Sequence, residues 1–369
     1  MSRLDKIRVA GEREAGERAW GLVRAAYEAR EPVAWPRRHA RPLAAAAVAA
    51  AVVAAALSPA GRSVIHSLRK AVGVEHAEPE LFSLPAPGRL LVSGPGGAWI
   101  VNPDGSRRRL GPYRDAAWSP HGLFVAATRP HELVALDPKS NVRWTLPRRS
   151  PRFPAWTGTR SDTRIAYVAA GRLHIVAGDG TGDQTIAPAS PVAPVWRPGG
   201  GRVLAYARGR GSVVYDADRG SVVLRTRSGE APRKLQWSSD GRLLLVFAPH
   251  QVRVFDARGR IVAQDDPSDA TADADAAFVP GTHRVSAIRV HGTQSDVFLF
   301  RTGRLLFSGT GVFDRLAWSP NGRWLLVTWP TANQWVFVRT KPRKIVGASR
   351  ISAQFGGFPR DASWCCGAR

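Results

Sequence analysis

One feature limits this chain's fold more than any other. An aromatic residue, a tight turn and an apolar run return about every 40 residues. The motif stands as Trp118-Ser-Pro-His-Gly122, Trp196-Arg-Pro-Gly-Gly200, Trp237-Ser-Ser-Asp-Gly241 and Trp318-Ser-Pro-Asn-Gly322. Looser copies fill the gaps at Trp156, ahead of RIAYV, and at Phe278, ahead of HRVSAIRV. Successive separations are 38, 40, 41, 41 and 40 residues. Within each unit, runs such as RLLLVF and QVRVFDA alternate with Gly, Pro and Asp turns, which is the signature of short strands. A 40-residue period holding four short strands is the spacing of a β-propeller blade.

The two ends predict how the ring closes. Residues 89–110 supply three strands with no aromatic strand before them. Residues 355–366 supply an aromatic strand, at Trp364, with nothing after it. Pairing the two completes a blade and leaves no open edge between the first and last units. The expectation is an all-β, seven-bladed propeller closed by the C-terminal strand. Six blades would result if Phe278 or Trp364 were not a repeat position. The structural repeat positions are then Trp118, Trp156, Trp196, Trp237, Phe278, Trp318 and Trp364.

Ahead of the repeats the composition changes. Residues 1–41 are charged and carry an apolar helical stripe at Trp20, Val23 and Tyr27, predicting a cytoplasmic helical tail. Residues 42–61 hold no charge at all between Arg41 and Arg62. That length matches the roughly 20 residues needed to cross a bilayer. Ten of the 15 residues from Leu43 to Leu57 are Ala, which inserts weakly, so a soluble helix or a signal peptide are the rival readings. Residues 62–81 read as a juxtamembrane helix or linker with a stripe at Ile65, Leu68 and Val72. Arg and Lys are denser on the tail side of the span. This places the N-terminus in the cytoplasm and the propeller, residues 82–369, outside.

The W-S-P-x-G units at Trp118 and Trp318, and Trp237 with Asp240, resemble the TolB-like, WD40-related family of β-propellers, whose consensus is W-S-P-D-G before a strand. The resemblance spans residues 82–369. It implies a propeller that binds other molecules and performs no chemistry of its own. The whole arrangement is also similar to membrane-anchored propeller proteins of GC-rich actinobacteria.

Nothing else in the sequence points to catalysis. There is no G-x-S-x-G, H-E-x-x-H or P-loop. Gly178-Asp-Gly-Thr-Gly182 lies between strand runs and reads as a turn. The nine His residues are scattered, with no ligand spacing on one element. No cofactor and no metal site is expected. Residues 265–275 carry Asp265, Asp266, Asp269, Asp273 and Asp275 and read as a solvated acidic loop, with a calcium or basic-partner site as the alternative. Trp324, Trp329 and Trp335 could place an aromatic on a propeller face. Cys365 and Cys366 are adjacent and read as two buried or half-buried thiols, with covalent stapling to another chain as the alternative.

The charge needs care. The chain has 53 Lys+Arg against 29 Asp+Glu. Residues 82–369 hold 40 and 20 of these respectively, spread without a dense run. No nucleic-acid motif accompanies them, so no nucleic acid is expected. The favoured partners are a protein or an anionic envelope component, with the membrane held through residues 42–61 and a cytosolic partner for the tail. The leading reading is a non-enzymatic membrane-anchored binding propeller. The rivals are a membrane-anchored transcription regulator of the anti-sigma type, with the propeller as sensor, and an enzyme with its site in the propeller channel.

Overall fold

A computed structural model describes residues 77–78, 83–159, 161–199, 201–267 and 271–366. The expected tail and the expected span at 42–61 lie outside the described residues. Among the described residues no helix is long and apolar enough to cross a membrane. Of the 62–81 segment, only Ala77–Glu78 is described, as a two-residue strand.

Within the unit His66–Arg369, the described residues form seven sheets, antiparallel throughout except for one added edge strand. We number them as blades. Blade 1 is the composite one, ordered Asp361–Cys365, Arg89–Gly94, Gly97–Val101, Arg107–Gly111. Blades 2 to 7 begin at Ala116, Arg152, Val195, Lys234, Thr271 and Leu316, each with four strands in sequence order. The blade count is therefore seven. The closing strand pairs antiparallel with Arg89–Gly94, with Leu90 opposite Trp364 and Val92 opposite Ala362. On the outer edge of blade 7, Ala77–Glu78 adds a fifth strand, parallel to Arg343–Ser349. Among the described residues helix is confined to Ile351–Phe355 and one 3-10 turn, Pro330–Ala332.

The core is not central. It is divided into seven apolar clusters, each drawing residues from two neighbouring blades. This follows from blade geometry, because each four-stranded sheet has two apolar faces and its neighbours cover both. The second and third strands accordingly carry the longest buried runs, such as Leu244–Ala248 and Gln334–Val338.

The repeated turn has a local explanation. In Trp237-Ser-Ser-Asp-Gly241, the amide of Gly241 donates to the Ser238 carbonyl at 2.8 Å, and Leu243 N donates to Ser238 Oγ at 3.0 Å. Ser238 Oγ in turn donates to Asp240 at 2.6 Å, and Asp240 also accepts from Arg242 N. Ser319 and Asn321 repeat the pattern in blade 7. Gly241 and Gly322 have φ of 68° and 65°, a region open to glycine at low cost.

The aromatic before this turn ties the blades together. Trp237 Nε1 donates to the Val195 carbonyl of blade 4 at 3.1 Å, and Trp196 Nε1 to the Ala155 carbonyl of blade 3 at 3.0 Å. Trp318 Nε1 donates to Ser286 Oγ of blade 6 at 2.9 Å. Phe278, Trp237 and Trp318 are buried; Trp118, Trp156, Trp196 and Trp364 are half-buried.

Three expectations are corrected here. The acidic run is not a solvated loop, because Thr271–Phe278 is the first strand of blade 6, with Asp273 and Asp275 buried at 2% and 1% exposure. Asp269 lies outside the described residues. Trp324, Trp329 and Trp335 present no aromatic platform. Trp324 and Trp335 are buried, and Trp329 packs edge-on against Phe307 and Phe313. Cys365 and Cys366 are joined by a disulfide rather than standing as thiols.

Trp318→Ala should cost about 3–5 kcal/mol, because a buried ring and an interblade hydrogen bond are lost together. Trp156→Ala should cost less, since this ring is half-buried and its Nε1 has no partner. Urea unfolding of the two variants checks the ranking, and equal losses would contradict the role assigned to the indole bond.

Candidate functional site

The first strand of every blade faces a central cavity of about 1280 Å³. Its walls are the starts of those strands together with the turns at Gly94-Pro95 and Gly209-Arg210, which join second to third strands. The cavity therefore opens on the face opposite the W-x-x-x-G turns. None of the repeat aromatics lines it, because they point between blades.

Register explains what does line it. Counting back from each repeat aromatic, the third residue is Asp115, Phe153, Ala193, Lys234, Asp275, Arg315 or Asp361. The fourth is Arg114, Arg152, Val192, Arg233, Ala274, Asp314 or Arg360. Five of seven are charged at each position, in a body where the neighbouring strand residues are mostly apolar. The charge pattern was thus present in the sequence. It becomes visible only once the aromatics set the register, and reading the aromatics alone missed it.

Several of these charges hold one another. Lys234 Nζ lies 2.8 and 3.0 Å from the two oxygens of Asp275. Asp275 also accepts from the Ala276 and Leu316 amides at 2.9 Å, the second an interblade bond. All of its capacity is taken, which is what a carboxylate buried this deeply requires. Asp115 accepts from Arg152 Nε at 2.5 Å and from the Phe153 amide at 3.2 Å, joining blades 2 and 3. Arg315 and Asp314 pair at 3.2 Å.

Asp273 is less complete. Oδ1 accepts from Arg289 Nε at 3.0 Å, and Arg289 is shared with Asp265, but Oδ2 is buried without a partner. Burial pushes its carboxyl up to about 6, against the pull of Arg289. Asp314 and Asp361 are also raised, chiefly by desolvation. Asp361 is ringed by protein yet its side chain meets water in the cavity, which softens that cost.

Arginine is in excess. Arg114, Arg210, Arg233 and Arg360 line the cavity, are exposed, and have no carboxylate partner among the described residues. They come from blades 2, 4, 5 and 1. Between the arginines of blades 2 and 4 the wall is apolar, with Phe153, Pro154, Pro191 and Val192. Phe153 has φ of 55°, uncommon for a bulky residue, where the first strand of blade 3 slips register against the second.

Elsewhere, Asp183 accepts from Tyr167 Oη at 2.7 Å and from Arg148 Nε at 2.8 Å, with His174 Nδ1 at 3.5 Å. Burial works to raise this carboxyl, but these donors outweigh it and leave it lowered. The groups are held by one another, so the cluster reads as a clamp that ties the end of blade 2, through Arg148, to blade 3. Among the described residues no three His, Cys, Asp or Glu side chains gather as a metal set.

No family model matches the chain, and no curated relative matches it. The likeness is to solved structures. A chain of the mitotic checkpoint complex shares 15% identity at a TM-score of 0.55, covering 70% of this chain and 92% of that one. The β-propeller domain of Cps50 (Swd1) from Myceliophteria thermophila shares 13% at 0.50, covering 63% and 83%. Hydrazine synthase from Kuenenia stuttgartiensis shares 15% at 0.50, covering 61% and 75%. The first two are propellers of the WD40 type. The likeness is one of fold.

The raised carboxyl of Asp273 predicts a pH signature. Its folded value lies above the ordinary 3.8, so the folded protein holds a proton here that the unfolded chain releases. The stabilisation is full below about pH 4 and fades as pH rises through 6, a change of roughly 3 kcal/mol. Asp273→Asn removes it. Wild type should therefore gain on the Asn variant as pH falls from 7 to 4, read from urea midpoints. A constant difference across that range would contradict the assignment.

Proposed function

We propose that this chain is a non-enzymatic binding scaffold that receives a partner on the cavity face of its propeller. One observation carries the reading. Charged side chains from most of the blades converge on a single cavity, and four arginines there have no carboxylate partner among the described residues. Unpaired charge at the rim of a rigid, closed ring is unused by the fold and is available to a partner. The full pairing of Asp275 and Asp115 argues for a wall rather than a reacting group.

WD40-type propellers in protein assemblies support a protein as the partner class. The uncharged stretch at 42–61 supports membrane anchoring, with the N-terminus inside and the propeller outside. There the arginine-rich face meets an acidic protein or an anionic envelope polymer. The tail, residues 1–41, anchors or relays on the cytoplasmic side.

Photo-crosslinking in intact membranes tests the face. A photoreactive residue at Arg210 or Arg360 should give adducts, and one at Leu123 or Asn321 on the opposite face should give none above background. The reverse pattern would overturn the reading. Protease added to intact cells should digest the propeller, and a protected propeller would overturn the outside placement.

A further inference from the structure

We infer that the cavity takes an extended acidic peptide carrying an apolar side chain, supplied by a partner protein. The inference rests on the scaffold reading above and names the ligand class of that same cavity.

The arrangement of charge selects against a simple anion. Arg360, Arg114, Arg210 and Arg233 stand on blades 1, 2, 4 and 5, so they are distributed around the mouth and do not converge on one point. A phosphate or sulfate group needs several donors on one spot. A chain with spaced carboxylates reaches separate arginines in turn. One residue further along the strands stand Asp361 and Asp275, with Arg315 of blade 7 between them and Lys234 paired to Asp275, so charge of both signs lies there. A small anion that sank past the mouth would find the cations there already paired, Lys234 with Asp275 and Arg315 with Asp314. The attraction therefore lies at the rim, where an extended segment would lie across it.

The apolar sector supplies the second requirement. Phe153 is held in the left-handed region, with its amide on Asp115 and the Arg152 guanidinium stacked 4.5 Å over its ring. Strained backbone of this kind persists where the surroundings fix it, and it clusters at binding sites. Here the strain and the register slip set Phe153 at the cavity wall beside Pro154, Pro191 and Val192. A purely ionic ligand would make no use of that wall. An apolar side chain flanked by acidic residues uses both sectors. The volume, about 1280 Å³, exceeds the roughly 300–1000 Å³ of small-molecule pockets and suits a segment of chain.

The test uses the full-length protein in detergent and a fluorescent peptide, acetyl-Glu-Glu-Leu-Glu-Glu-Phe-Glu-Glu-amide, followed by anisotropy. Binding should weaken steeply as NaCl rises. Combined Arg114→Ser, Arg233→Ser and Arg360→Ser should lower affinity at least about tenfold. Arg304→Ser on an outer strand of blade 6 should leave it unchanged. Phe153→Ala should lower affinity for this peptide by about three- to tenfold and leave an all-Glu octapeptide unaffected. The proposal fails if the triple variant binds like wild type, or if Phe153→Ala weakens both peptides equally. It also fails if tripolyphosphate displaces the peptide at equal concentration, or if anionic lipid vesicles bind while the peptide does not. Crosslinks at Arg210 and Arg360 without peptide binding would overturn this ligand class alone and leave the scaffold standing.

Discussion

The antiparallel pairing of Asp361–Cys365 with Arg89–Gly94 is the contact on which the structure depends. Each apolar cluster is shared by two blades, so no blade is stable by itself and the ring gains most when it has no ends. The cluster between blades 7 and 1 shows this. It combines Leu84, Leu90 and Ala362 with Trp335, Phe337 and Phe355, residues from opposite ends of the described chain. Bringing those ends together costs loop-closure entropy, but the cost grows only with the logarithm of length. The gain is a full interblade core and the removal of two open faces.

Given a closed ring, much of the arginine becomes structural. Arg197 of the turn after Trp196 donates to the Gly241 carbonyl at 2.7 Å and lies 5.6 Å over the Trp237 ring. Arg89 does the same for blade 2, donating to Gly122 at 2.7 Å and lying 4.7 Å over Trp118. Other arginines brace Asp turns, as Arg260 does at Asp256. The net positive charge is therefore a poor guide to function as a total. The informative part is the small set at the cavity mouth that the fold leaves unpaired.

The blade repeat was legible because its chemistry is local. A Ser that accepts from the residue five positions on, an Asp or Asn that ties the turn, and a Gly with positive φ all lie within one pentapeptide. Closure was legible because three strands at one end and one at the other sum to a blade. The cavity was not, because its lining depends on which residues seven separate strands bring to one axis. The acidic run shows the difference. Thr271-Ala-Asp-Ala-Asp-Ala-Ala-Phe278 has weak strand character, and its acids suggest solvent. Its place as an inner strand is decided by Lys234 and Arg289, which reach Asp275 and Asp273 from blade 5 and from the next strand of blade 6. Likewise Trp335 is buried by helix Ile351–Phe355 stacking on it, a contact no periodicity announces.

The central claim is that the C-terminal strand is an integral part of blade 1. Native-state hydrogen exchange measures this directly. The paired amides of Asp361–Cys365 and Arg89–Gly94 should exchange only with global unfolding, at the rate of the second and third strands of blades 4 and 5. Exchange of Asp361–Cys365 as a frayed terminus, with the other blades fully protected, would contradict the account.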